Sequence, residues 1–183
     1  MKLGWKEKIQ RLIPSVRIPY SNYILIVILI LGFVLRVYKI NSLPLYGDEL
    51  TIVYDSYSLL KTGMDQTGEP YPLTFKMGAG RPAGYVYGSV PFVAMFGPSV
   101  WGVRGLSVLS GLGIIILMYF LGKKLFTEKV GLIASFLTSI SLWDIYLSRA
   151  GFEAHFALFL TLFGVVLFLY KKYVPMAILW GLA

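Results

Sequence analysis

Apolar runs long enough to cross a bilayer constrain this chain more than any other feature. A transmembrane helix needs roughly 20 mostly apolar residues. Residues 20–39, 105–122, 130–148 and 154–170 read as four spans, and 174–183 begins a fifth. The chain ends inside that last run, as the N-terminal portion of a longer protein would. Composition agrees: 57% of residues are hydrophobic and 14% charged, against about a quarter charged in soluble domains. The expected fold class is therefore all-α integral membrane, a polytopic helical bundle.

The net charge of +8 raises nucleic acid as a partner, and the placement of the charge excludes it. Lys2, Lys6, Lys8, Arg11 and Arg17 precede the first run, Lys123, Lys124 and Lys129 sit in a short connector, and Lys171 and Lys172 follow the fourth. That is the positive-inside pattern and puts the N-terminus in the cytoplasm. Residues 1–19 read as a cytoplasmic interfacial segment with Trp5, Ile9, Leu12 and Ile13 on one side, and no cleavable signal peptide is evident. Arg36 and Lys39 are placed to snorkel from the far end of the first span. Segment 84–97 is short for a span and contains Pro91. If it crossed, two basic clusters would flip outside, so it reads as an amphipathic or re-entrant helix on the outer face. Residues 40–100 then form one extracytoplasmic loop carrying interfacial helices, and the turn at 149–153 faces the same side.

Within that loop, residues 47–63 predict a helix with Leu50, Val53, Tyr54, Tyr57 and Leu60 at helical spacing, Asp48 at the N-cap and Gly63 at the stop. A Gly/Pro-rich loop follows over 64–84. Three constellations carry candidate chemistry. Asp48 and Glu49 pair two carboxylates, which also suit a first helical turn through the dipole. Arg149, Glu153 and the only histidine, His155, cluster with Asp144 at the outer end of two spans; a snorkelling Arg–Glu pair is the structural alternative. Arg81, followed by Tyr85 and Tyr87, suits a lipid phosphate, which a guanidinium binds in a bidentate way, or plain headgroup anchoring. No P-loop, dinucleotide fingerprint, zinc-protease helix or nucleophile elbow is present, and zero cysteines remove thiolate chemistry.

The order of these motifs resembles the N-terminal region of the GT-C glycosyltransferases, in particular the protein O-mannosyltransferase and aminoarabinose transferase group. The first span, "LYGDE", "GRPAGYVYGSVPFVAMFG", "VRGLSVLSGLGIIILMYFLGKKLF" and "SRAGFEAHFALF" carry it, over roughly residues 20–172. The resemblance implies an enzyme that moves a sugar from a polyprenyl-phosphate donor to an extracytoplasmic lipid, glycan or protein acceptor. The setting it implies is a bacterial or archaeal plasma membrane, in cell-envelope glycosylation. Asp48 matches the family's catalytic acid, with Glu49 beside it. Arg81 and Pro82 stand where the family has Lys-Pro or Pro-Pro, which assigns Arg81 to the donor phosphate. Glu153 matches a second acidic position that orients the acceptor or binds a cation. The substrate-binding set implied is Arg81, Glu153, Tyr85, Arg149 and His155. No cofactor is certain; a divalent cation, if used, would fall to Asp48 and Glu153. Family members have more spans than the four and part of a fifth read here. The rival reading is a carrier or flippase for lipid-linked sugars, or an inactive truncated fragment. A carrier should place polar groups at mid-membrane, whereas the acids here gather at one face.

Overall fold

The computed structural model describes residues 21–45, 47–76 and 80–183; the predicted interfacial segment 1–19 lies outside them. In chain order come α1 (Ser21–Val37), a 3₁₀ turn (Ile40–Ser42), α2 (Asp48–Thr62), strands β1 (Thr74–Phe75) and β2 (Arg81–Pro82), α3 (Ala83–Phe96), α4 (Val100–Leu125), α5 (Glu128–Ser139), α6 (Leu142–Ser148), α7 (Glu153–Leu169) and α8 (Tyr173–Leu182). The architecture is all-α and the apolar helices are those of a membrane protein. Among the described residues, Ser21–Ser42 and Val100–Leu125 are long and apolar enough to cross a membrane, and α5 with α6 makes a third candidate bent by 60°. Helices α3, α7 and α8 are apolar but shorter.

Helix α4 is the central post, packed by α1, α3, α5, α6 and α7. Its junction with α5 is a backbone-on-backbone contact: a Cβ on Gly122 would lie 2.7 Å from the Cα of Gly131. Side chains cap both helices at their starts. Ser99 Oγ accepts from Gly102 N at 3.3 Å and Thr127 Oγ1 accepts from Val130 N at 3.3 Å, which satisfies donors that helix geometry leaves free. Two apolar clusters form the core. Ile28, Ile115, Tyr119 and Leu132 join α1, α4 and α5. Ile52, Val53, Phe75, Tyr85, Val86, Val93, Val103 and Leu106 fasten the first loop onto α3 and α4. The second cluster fixes α2 and the hairpin over the end of the bundle.

Three expectations need correction. The run 130–148 is not one helix: it breaks at Ile140 and Ser141. The cause is local, because Thr138 Oγ1 donates back to Ala134 O at 2.8 Å and Ser139 Oγ to Phe136 O at 2.7 Å, bonds that loosen and bend a helix. Arg36 does not snorkel; it is fully buried and fills that break. Helix α2 ends at Gly63 as expected, but Gly47 is its N-cap and Asp48 its first residue. Its apolar stripe points outward: Leu50, Tyr54, Tyr57 and Leu60 are exposed, while Glu49, Ile52, Val53, Asp55, Ser56 and Leu59 are buried. Polar side chains win the inner face because fixed partners meet them there. Ser56 Oγ donates to Val86 O at 3.0 Å, and Asp55 accepts from Gln66 N at 3.0 Å.

Candidate active site

Asp48, Arg81 and Glu153 come from three distant segments and meet at one point. The first turn of α2 supplies Asp48, the β1–β2 hairpin supplies Arg81, and the first turn of α7 supplies Glu153. The hairpin pairs Phe75 with Arg81 in antiparallel register, and Phe75 is buried in the loop cluster, so the guanidinium is carried on an anchored strand. Arg81 Nη1 donates to Thr51 Oγ1 at 2.9 Å and to Asp48 O at 3.2 Å. Its Nη2 lies 3.3 Å from Asp48 Oδ1 and its Nε 3.7 Å from Glu153 Oε1. The Arg81 side chain is buried while that of Asp48 is 52% exposed, so the carboxylate projects from a buried cationic base. Glu153 adds one buried oxygen, Oε2, without a hydrogen-bond partner among the described residues.

Glu49 faces the other way, into the protein. Its two oxygens accept from Arg104 Nε and Nη2, each at 2.7 Å, and Oε1 also accepts from Gly151 N at 2.9 Å. Arg104 further donates to the carbonyls of Ile40 at 2.8 Å, Leu43 at 3.1 Å and Pro44 at 3.4 Å. A charge-assisted bidentate pair of this kind is strong and directional. It ties the end of α1, the start of α2 and the 149–153 turn to α4. In the sequence Arg104 marks only the leading edge of the span at 105–122. The signal available was a lone guanidinium at the leading edge of an apolar run, where a buried acid is the expected partner.

Beside Asp48 lies a cavity of about 730 Å³, lined by Asp48, Glu49, Arg104 and Arg149 among apolar walls from Leu43, Leu142, Ile145, Tyr146 and Phe152; Arg81 and Glu153 are not among its lining residues. Arg149 makes one hydrogen bond there, from Nη2 to Lys39 O at 3.3 Å. The remaining donors of its guanidinium have no partner among the described residues. The cavity thus combines an exposed carboxylate, an available guanidinium and an apolar wall.

The sequence matches a family model described as dolichyl-phosphate-mannose-protein mannosyltransferase over residues 83–182, more than half of the chain. The chain belongs to this family. It is a membrane glycosyltransferase of the GT-C type. No curated protein and no solved structure gives a match. The mannosyltransferase match takes in Arg104, Arg149, Glu153 and His155, and it begins just after Arg81; Asp48 and Glu49 lie before it.

Of the candidate binding residues, Arg149 lines the cavity; Arg81 and Glu153 stand beside it against Asp48, and Tyr85 and His155 sit in the core. Tyr85 is 1% exposed in the core; its hydroxyl donates to Val103 O at 2.9 Å and pairs with Ser107 Oγ at 2.6 Å. His155 is fully buried, with Nε2 3.0 Å from Asp144 Oδ1. The pair named for a cation, Asp48 and Glu153, shares the Arg81 guanidinium, and among the described residues no three His, Cys, Asp or Glu side chains converge. A divalent ion between those carboxylates would meet Arg81 head-on, so the residues do not fit one there.

Proposed function

We propose that the cavity binds a polyprenyl-phosphate sugar and transfers the sugar to an extracytoplasmic hydroxyl or amine acceptor. The observation that carries this reading is that Asp48 and Arg149 line one cavity with apolar walls from Leu142, Ile145 and Tyr146, while its other charged groups, Glu49 and Arg104, are paired with each other. Arg149 takes the donor phosphate, and Leu142, Ile145 and Tyr146 take the first isoprene units. Asp48 accepts the acceptor proton as general base. The acceptor oxygen or nitrogen then attacks the anomeric carbon, the bond from that carbon to the phosphate oxygen breaks with inversion, and the polyprenyl phosphate leaves. Charge grows on the phosphate in that step, where a preorganised guanidinium contributes most.

Arg81, assigned from the resemblance to the donor phosphate, is better suited to holding Asp48 and Glu153, since its donors are already engaged with both. Glu49 acts through Arg104 as a positioning residue, and Glu153 orients the acceptor. The basic connectors favour a site on the outer face with the N-terminus inside. A carrier reading is less well supported, because the buried charges of the bundle are paired with one another rather than arrayed along a path.

The test is transfer from dolichyl-phosphate mannose by protein reconstituted in liposomes. Asp48→Asn keeps the shape and removes the base, so the rate should fall by about 10²- to 10⁴-fold. Transfer at a near-normal rate would sink the base assignment.

A further inference from the structure

One cluster of buried charge is not used by this chemistry. Arg36 of α1 reaches into the break between α5 and α6. Its Nη1 donates to Ser139 O at 3.2 Å and to Gly32 O at 2.9 Å, its Nη2 to Thr138 O at 3.4 Å, and its Nε to Ser148 Oγ at 3.2 Å. Nη2 also pairs with Asp144 Oδ2. The other oxygen of Asp144 meets His155 Nε2 at 3.0 Å. A broken span leaves carbonyls that hydrocarbon cannot satisfy, and the guanidinium answers two of them. It stands at the C-terminal end of α5, and Asp144 in the first turn of α6, which are the favourable ends for a cation and an anion. The seat is built for it: a Cβ on Gly111 of α4 would lie 2.1 Å from Ser148 Oγ and 2.8 Å from Arg36 Nε.

The location gives the cluster its consequence. On the seven-residue helix α6, Asp144 and Ser148 face Arg36, while Leu142, Ile145 and Tyr146 line the cavity and Arg149 follows directly. His155 lies two residues past Glu153 in the first turn of α7. We propose that Arg36, Asp144 and His155 form a positioning network that pins α6 and the first turn of α7. In doing so it sets Arg149 and the apolar wall where they receive the lipid-phosphate donor. None of the three touches substrate. The assignment of the donor to this cavity rests on the function proposed above; the pinning of α6 does not.

The experiment uses the protein in lipid nanodiscs, with dolichyl-phosphate mannose as the binding probe. Spin labels go on Ser42→Cys and on Trp143→Cys, the latter an exposed residue of α6 outside the cavity lining, both unique because the chain has no cysteine; donor binding is measured on unlabelled protein. His155→Gln keeps an N–H at the position of Nε2, and His155→Leu removes it. His155→Leu and Asp144→Asn should each broaden the label distance and weaken donor binding by about ten- to a hundredfold, the scale of an ångström-sized misplacement. His155→Gln should restore a narrow distance and binding within about threefold of wild type, a rescue a merely space-filling histidine would not show. Unchanged distance and binding in His155→Leu overturns the proposal, and so does loss in His155→Gln equal to that in His155→Leu. If the wild-type protein binds no dolichyl-phosphate mannose, the proposed function fails and the label distances alone decide. Broadening in Asp144→Asn and His155→Leu then supports the network; an unchanged distance overturns it.

Discussion

Removing the Arg104 guanidinium should destabilise the protein far more than removing both members of its pair. Arg104 and Glu49 are each 4% exposed, so neither charge is relieved by water. Arg104→Met keeps the aliphatic stem and strands the Glu49 carboxylate with Gly151 N as its one remaining donor. It also frees the carbonyls of Ile40, Leu43 and Pro44. Breaking a buried pair from one side costs about 3–5 kcal/mol, whereas replacing both charges by apolar groups is often close to neutral. At about 2–4 °C per kcal/mol for a chain of this size, Arg104→Met should lower the midpoint of thermal unfolding in detergent by about 10 °C. Glu49→Gln keeps part of the hydrogen bonding and should cost about 1.5–3 kcal/mol. The double variant Glu49→Met with Arg104→Met should recover much of the loss. An Arg104→Met protein within about 1 kcal/mol of wild type, or a double variant worse than Arg104→Met alone, would refute the claim that desolvated charge makes this pair matter.

Two further outcomes follow from the site and the loop beside it. Because Arg81 sits between Asp48 and Glu153, transfer measured with and without EDTA should agree within experimental error; a loss restored by added magnesium or manganese would contradict that arrangement. Asp65 anchors the loop after α2, its Oδ1 accepting from Thr67 N at 2.8 Å and Glu69 N at 2.9 Å. Burial pushes this carboxyl up, but the hydrogen bonds from Glu69 and Thr67 outweigh it and hold it below the ordinary 3.8. A depressed acid stabilises the fold above its unfolded pKa, and that contribution is lost as pH falls through the folded value. Limited proteolysis between about pH 5 and pH 3 should therefore open residues 64–70 at the acid end, and Asp65→Asn should flatten the dependence. A profile unaltered by Asp65→Asn would assign the anchoring elsewhere.

Much of this organisation was legible in the sequence because it is periodic or chain-local. Span-length apolar runs predict helices, and α1, α4, α7 and α8 fall within a few residues of the expected segments. That Asp48 and Glu153 would face one compartment was expected from the parity of the spans, and the resemblance alone assigned Arg81 to the same site. The resemblance carried the order, since nothing in the spacing of positions 48, 81 and 153 encodes proximity. Partner choice among charges was not legible. Arg36 and Arg104 each sit at the edge of an apolar run, where snorkelling and burial give the same sequence pattern. Only the break at Ile140 and the inward turn of Glu49 decide between them. The inverted face of α2 has the same origin, because an apolar stripe predicts burial only until buried polar partners compete for the inner side.

The central claim is that the first loop and the 149–153 turn share one outward cavity that takes a lipid-phosphate sugar. Thiol labelling of single cysteines in intact cells tests it most directly. Ser42→Cys and Ala150→Cys probe the cavity, while Gly151 is unsuitable because its Cβ would lie 2.3 Å from Val103 Cγ1. Lys124→Cys reports the opposite end of α4. A membrane-impermeant reagent should modify positions 42 and 150 and spare 124, and added dolichyl-phosphate mannose should slow modification at both cavity positions. Labelling of 42 and 150 from opposite faces, or rates at both that dolichyl-phosphate mannose leaves unchanged, would contradict it.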